Sequence, residues 1–340
     1  VVSVVRRTFA LVLAGALVGA CTDSFSDPTP IVTGARLLAV QAVPAEAAPG
    51  ASFTLTPLYV DTSGVTDPSS VDWAICLLQK PLGEPGPINP ACFVDSSTSL
   101  TELGTGGQVS GVVDANACEL FGPDSPPPAA GQPSARPTDA DSTGGYYLPV
   151  RIKTAPDPAG DPWSVALERV SCQPSGVTSA VFSAFETQYQ ANANPTVASL
   201  ARRNADGSTA PIAADPADGS PPAAPGLTVS AGARVSLQAS WPDCTALTDP
   251  TATCGGAEGY VSIDPTSKQL TTRREAMTAS YFATGGSFTS ASVGRDESDP
   301  TLNVVDTWTA PSAPGTAHLW VVLRDSRGGT GWASYTVAVE

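Results

Sequence analysis

The stretch Ser230-Ala231-Gly232-Ala233-Arg234-Val235-Ser236-Leu237-Gln238-Ala239-Ser240-Trp241-Pro242-Asp243 decides the fold. A glycine turn opens it, and apolar and polar residues then alternate. Successive side chains of a strand point to opposite faces, so a period of two describes a half-buried strand. The same pattern stands earlier, in Ala48-Pro49-Gly50-Ala51-Ser52-Phe53-Thr54-Leu55-Thr56-Pro57-Leu58-Tyr59-Val60-Asp61. Each copy follows a shorter apolar run, at residues 37–43 and 197–200. The repeat predicts two β-rich modules, one over residues 34–195 and one over residues 196–340.

The end of the chain predicts a closing hairpin. Leu319, Val321 and Leu323 alternate with His318, Trp320, Val322 and Arg324. Asp325-Ser326-Arg327-Gly328-Gly329 reads as a turn, with glycine supplying positive φ, and Tyr335, Val337 and Val339 begin a second alternation. Residues 275–284 read as another strand, and Trp308-Thr309-Ala310-Pro311 as one that stops at proline. Short strands between frequent turns predict a mainly β chain of two immunoglobulin-like β-sandwiches. The first module carries a long loop insertion over residues 79–145, and strands resume at Tyr146, Leu148, Val150 and Ile152. Residues 204–226 read as a second Pro/Ala/Gly-rich loop. Val177, Val181, Phe185 and Tyr189 repeat every four residues, which predicts one helix with an apolar stripe, docked on the first module.

These residues resemble a family. The glycine turns before alternating strands, Trp308-Thr309-Ala310-Pro311 and the final strand–turn–strand are similar to bacterial immunoglobulin-like and PKD-like modules. Leu120-Phe121-Gly122-Pro123-Asp124, Gly144-Gly145-Tyr146-Tyr147, Ala283-Thr284-Gly285-Gly286 and Leu319-Trp320-Val321-Val322-Leu323-Arg324-Asp325 resemble stretches of uncharacterised bacterial lipoproteins built from such modules. The resemblance implies a fold and a location, and it carries no activity.

The amino terminus points the same way. Arg6 and Arg7 precede an uncharged, mostly apolar run from Thr8 to Ala20. Thirteen residues cover roughly 20 Å, too short for a hydrocarbon core of about 30 Å, so residues 1–20 read as a signal peptide. Leu17-Val18-Gly19-Ala20-Cys21 resembles a bacterial lipobox, in which Cys21 is lipidated and residues 21–33 form a tether. The expected location is the bacterial cell envelope, lipid-anchored, with the outer membrane favoured. Setting Cys21 aside leaves Cys76, Cys92, Cys118, Cys172, Cys244 and Cys254, an even number suited to disulfides in an exported chain. Cys244 with Cys254 is the expected short loop. Among the other four, three pairings are open, and proximity in sequence favours Cys76–Cys92 and Cys118–Cys172.

Composition narrows the chemistry. Acidic residues outnumber basic ones 32 to 17 for a net charge of −15, which argues against a nucleic-acid binder. With His318 the single histidine, no CxxC and no Gly-x-Ser-x-Gly, no metal, cofactor or catalytic site is expected. Asp139-x-Asp141-x-Thr143-Gly144 echoes the opening of a calcium loop, but Val150 stands where the bidentate glutamate belongs. The expected function is a non-enzymatic envelope lipoprotein with a structural, adhesion or assembly role. Its expected partners are the membrane, through the lipid, and other envelope proteins or glycans. A carbohydrate- or ligand-binding lipoprotein using Tyr146/Tyr147 or Trp320/Trp332 is the first alternative, and an envelope hydrolase the second.

Overall fold

A computed structural model describes residues 30–79, 88–95, 97–122, 145–154, 162–217, 220–244 and 254–340. Cys21, the leader and Asp139 to Gly144 lie outside the described residues. The described residues are mainly β, with 48% of them in strands and 7% in helices. Nine strands come first: β1 (Arg36–Val43), β2 (Glu46–Ala47), β3 (Ser52–Asp61), β4 (Gly64–Val65), β5 (Asp72–Cys76), β6 (Leu100–Thr105), β7 (Val109–Val112), β8 (Gly145–Lys153) and β9 (Trp163–Ser171). A short helix α1 (Ala117–Phe121) precedes β8, and α2 (Ser179–Gln188) follows β9. Twelve strands follow: β10 (Ser199–Arg203), β11 (Thr209–Ile212), β12 (Leu227–Val229), β13 (Arg234–Ser240), β14 (Gly259–Ile263), β15 (Leu270–Arg274), β16 (Met277–Ala283), β17 (Ser287–Phe288), β18 (Ser292–Arg295), β19 (Asn303–Thr309), β20 (Gly315–Asp325) and β21 (Thr330–Val339).

The two repeat copies become β3 and β13, and they hold equivalent places. In the N-terminal half β3 pairs with β1, β4 and β7, while the facing sheet runs β2-β9-β8-β5-β6. In the C-terminal half one sheet runs β11-β10-β13-β19-β17 and the other β12-β21-β20-β16-β18. In both halves a short strand pairs parallel to the last long strand, β2 on β9 and β12 on β21. All other pairings within these sheets are antiparallel. This strand order is that of an immunoglobulin-like sandwich.

Alternation fills each core as the period of two requires. Phe53 and Leu55 of β3 meet Trp73, Leu148, Val150 and Val170 across the first sandwich. Val235, Leu237 and Ala239 of β13 meet Tyr281, Leu319, Val321 and Val337 across the second, around Trp308. The Trp308 indole N–H donates to the Gly285 carbonyl at 3.0 Å, so its one polar atom is satisfied.

Four expectations need correcting. Residues 79–145 are not one long loop before strands resume at Tyr146, because β6 and β7 lie inside them, paired with β5 and β3. The end of the expected tether is not free either, because Pro30 and Val32 hydrogen-bond to Ala283 of β16 and Val32 is buried in the patch beside it. The helix forms, but its stripe does not rest on the first sandwich. Val177, Val181, Phe185 and Tyr189 pack on Val261, Ile263 and Leu270 of the β14–β15 hairpin, which is inserted in the second. A stripe fixes which face is apolar, and the nearest unpaired apolar surface then captures it. Residues 204–226 are not a plain loop either. β11 lies inside them and pairs with β10 across the Asn204–Ser208 turn. Asp215 N–H then donates to Ser334 O and Gly226 N–H to Thr336 O, which anchors the segment along β21.

Candidate functional site

The outer face of the closing hairpin leads to the site. On β20, Leu319, Val321 and Leu323 face the second core, which leaves Trp320 and Val322 on the other side. That side is also buried. Trp320, Val322 and Phe282 pack against Val32, Leu38, Leu58 and Val60 from the first half of the chain. A run of Leu-Trp-Val-Val-Leu with two apolar faces behaves as a strand covered on both sides. Beside this patch the Arg324 guanidinium donates to the Leu38 carbonyl at 2.9 Å and the Gln41 amide to Thr330 O at 2.7 Å. Asn194 ties both halves: its amide donates to Ala42 O at 2.6 Å and its carbonyl accepts from Thr330 N–H at 2.9 Å.

Next to the apolar patch lies a sealed cluster of charge. Ala47 of β2 enters the first core, so its neighbour Glu46 points the other way, toward the second sandwich. The Glu46 carboxylate accepts from Arg169 Nε at 3.1 Å, Ser171 Oγ at 2.7 Å, Asn192 N–H at 2.9 Å, Arg327 Nη2 at 3.1 Å and the Tyr189 hydroxyl. Arg327 reaches it from the β20–β21 turn, where the Asp325 carboxylate accepts from Arg327 N–H at 2.8 Å and Gly329 N–H at 2.9 Å. Gly328 takes φ 102° there. Any Cβ on Gly329 would stand 2.1 Å from the Asp325 carboxylate, so this turn needs glycine at 329 for space. The Arg327 guanidinium also donates to Gln190 O at 2.7 Å and lies 4.8 Å from the Tyr260 ring centre and 5.5 Å from that of Tyr189. Its Nη1 faces Glu275 at 3.5 Å.

Burial pushes the Glu46 carboxyl up, but the Arg169 and Arg327 guanidiniums, the Tyr189 hydroxyl and the Asn192 N–H outweigh that and hold it below the usual range. Glu275 goes the other way: burial, then the adjacent Asp325, raise it to about 9. Burial also raises Glu258 and Asp325.

A separate acid stands inside the first sandwich. Glu168 shares the core-facing side of β9 with Ala166 and Val170, opposite Leu148. Neither of its carboxyl oxygens has a hydrogen bond, and burial, then Glu46, push it up to about 8. The fold therefore holds a proton that an unfolded glutamate, with its ordinary value of 4.5, has released. Stability falls as pH rises between those values, by at most about 1.4 kcal/mol per unit. Replacing Glu168 with methionine is expected to raise the thermal midpoint, and by more at pH 8 than at pH 5. An equal gain at both pH values would contradict this account.

The sequence-predicted residues are placed as follows. Cys76 and Cys92 are bonded, as are Cys118 with Cys172 and Cys244 with Cys254. Three disulfides fit an oxidising, exported environment. Of the aromatics considered for sugar stacking, Tyr146 and Trp320 are buried, and Tyr147 and Trp332 are half-buried. Tyr147 is engaged at the joint, its hydroxyl donating to Arg327 O at 3.1 Å. His318 is half-buried beside Trp320, facing the Gly64 backbone, and burial pulls its pKa down despite Asp215 and Asp61. Among the described residues no group of three or more His, Cys, Asp or Glu side chains is arranged to hold a metal.

Sequence reading missed Glu46, Arg169, Glu275 and Arg327. One signal was present: in a chain only 14% charged, Glu168-Arg169 interrupts an apolar strand. Arg327 read only as part of a turn, and in the structure it is 2% exposed.

No protein-family model matches the chain, and no curated protein matches it. Among solved structures, alpha-2-macroglobulin of Escherichia coli is similar at 10% identity and a TM-score of 0.20, over 90% of this chain and 17% of that one. The adhesin InvE of Yersinia pseudotuberculosis is similar at 11% identity and a TM-score of 0.20, over 88% of this chain and 60% of that one. Domains 4 and 5 of the S-layer protein SbsC are similar at 10% identity and a TM-score of 0.18, over 89% and 98%. The chain thus spans less than two thirds of the first two, and TM-scores this low establish no shared fold.

Proposed function

We propose that the chain is a non-enzymatic envelope lipoprotein whose paired β-sandwiches act as a fixed-geometry structural, adhesion or assembly element. The observation that carries this reading is the joint. Strand β20 is buried on both faces, and Glu46 and Arg327, 281 residues apart, are sealed together between the sandwiches. Fixing the pose of two sandwiches with an apolar patch and a buried ion cluster suits a part that transmits position or load. The convergent carboxylates of the joint do not favour hydrolysis, because the Glu46 and Glu275 side chains are 0% exposed and no substrate reaches them. Burial of Tyr146 and Trp320 and the engagement of Tyr147 at the joint weigh against a row of exposed aromatics for sugar stacking.

The anchor in this proposal is Cys21. Cys21→Ser is expected to abolish detergent-phase partitioning and to leave an unacylated amino terminus. Partitioning and the mass of the mature terminus check it, and unchanged partitioning would remove the anchor from the proposal. The fixed geometry is tested separately by small-angle scattering of the soluble chain near pH 6. One rigid arrangement should fit the profile, and a broad ensemble of inter-sandwich distances would reject it.

A further inference from the structure

Two strand edges of the first sandwich border one cavity of about 720 Å³. Its walls are the outer side of β1, Ser164 to Leu167 of β9, and the β20–β21 turn. Prolines show which way the edge groups point. Opposed residues of an antiparallel pair exchange two hydrogen bonds or none, in alternation along the strands. Pro57 stands opposite Val40 and Pro149 opposite Leu167, and a proline has no N–H to give. Val40 and Leu167 therefore turn their N–H and C=O away from β3 and β8. By the same alternation Val165 does so too. The outward carbonyls beside Val40 are taken, Leu38 O by Arg324 and Ala42 O by Asn194. Val40, Val165 and Leu167 themselves have no hydrogen bond outside the strand ladders. β2 covers the β9 edge only at Arg169 and Val170.

The second sandwich covers the matching edges with its own chain. β11 lies on β10, β12 lies on β21, and Asp215 and Gly226 bond to Ser334 and Thr336 just before it. Among the described residues the first sandwich has nothing there beyond β2. An open edge of N–H and C=O groups is a template for another backbone. The side chains around it are apolar: Leu55 and Ala166 on the core side, and Leu167, 45% exposed, on the outer face. We propose that this edge is a docking site for an extended segment of a partner polypeptide. The segment adds to β9 as a short strand, bonded to the main chain of Val165 and Leu167, and sets one apolar side chain against Leu55 and Ala166. This deepens the assembly role by naming its class of partner, and it rests on that role. Strand addition is read at β9 and the fixed pose by scattering, so either can fail alone.

The test is amide exchange by nuclear magnetic resonance on the full chain, with a capped peptide of residues 225–231 as probe. That stretch holds β12, which covers the matching edge of the second sandwich, and its Leu227 and Val229 alternate with Thr228 and Ser230. In the free chain Val165 and Leu167 should exchange at least about tenfold faster than Ala166 and Glu168, whose amides face β8. Millimolar peptide should slow Val165 and Leu167 at least about fivefold and leave β13 unchanged. The same peptide N-methylated at Leu227, Thr228 and Val229 should not slow them. Nor should the unmethylated peptide slow Val165 in Leu167→Pro, which removes one outward donor and none of the β8 ladder. Slow exchange at Val165 and Leu167 in the free chain overturns the proposal, because the edge is then already paired. Absence of slowing with the peptide overturns it as well. Equal slowing by the N-methylated peptide also overturns it, and makes the cavity a site for an apolar ligand instead of a strand. Should Leu167→Pro fail to fold, the N-methylated peptide decides alone.

Discussion

Arg327→Ala is expected to destabilise the full chain by about 3–5 kcal/mol, the range for removing one partner of a buried ion pair. The guanidinium is sealed and donates to Glu46, the Tyr189 hydroxyl and Gln190 O. Its loss leaves Glu46 with one cation in place of two and leaves Glu275 with none nearby. Arg327→Lys should recover only part of the loss, since an ammonium cannot serve those acceptors in one plane while stacking on Tyr260 and Tyr189. Glu46→Ala should cost a similar amount, and the double variant less than the two losses added, because both act through one contact. Denaturant unfolding of the four variants measures this. A loss under about 1 kcal/mol for Arg327→Ala, or strict additivity with Glu46→Ala, would mean that the cluster does not hold the sandwiches together.

Trp320→Ala should cost about 3–5 kcal/mol by the usual range for a buried tryptophan, and its consequence differs from that of a core tryptophan. Trp320 is 1% exposed, yet it stands outside both sandwich cores, in the patch formed with Phe282, Val322, Leu38, Leu58 and Val60. The second core keeps Trp308, Tyr281 and Leu319 intact. The variant is therefore expected to melt in two steps where the wild type melts in one, whereas Trp308→Ala lowers the second sandwich directly. Differential scanning calorimetry separates the cases. The same patch bears on a fragment of residues 196–340, which keeps the Cys244–Cys254 bond and its own core but uncovers Phe282, Trp320 and Val322 and strips Arg327 of Glu46. That fragment should fold with a lower midpoint than the full chain. A single unchanged transition in Trp320→Ala would show that the patch does not couple the halves.

Local periodicity was legible in the sequence because backbone geometry imposes it. A strand turns its side chains over every residue and a helix every 3.6, so Val235-Ser236-Leu237-Gln238-Ala239 and the stripe Val177, Val181, Phe185 and Tyr189 declare their elements without any partner. The glycines of the turns are as plain, since Gly50 and Gly232 take φ 80° and 71° ahead of β3 and β13. What each outward face meets is another matter. Trp320 and Val322 read as the far side of a strand, with Trp320 a candidate for stacking, and the α2 stripe read as docked on the first module. Their partners Leu58 and Val261 come from other parts of the chain, brought near by how two sheets stack. The ion cluster was least legible of all. Glu46, Arg169 and Arg327 carry no mutual spacing that a pattern could register, and each is an ordinary charged residue in its own segment. Only the tertiary structure makes them neighbours, because burial and charge pairing depend on the relative pose of the two sandwiches. That pose is set by long-range contacts, which no local period encodes.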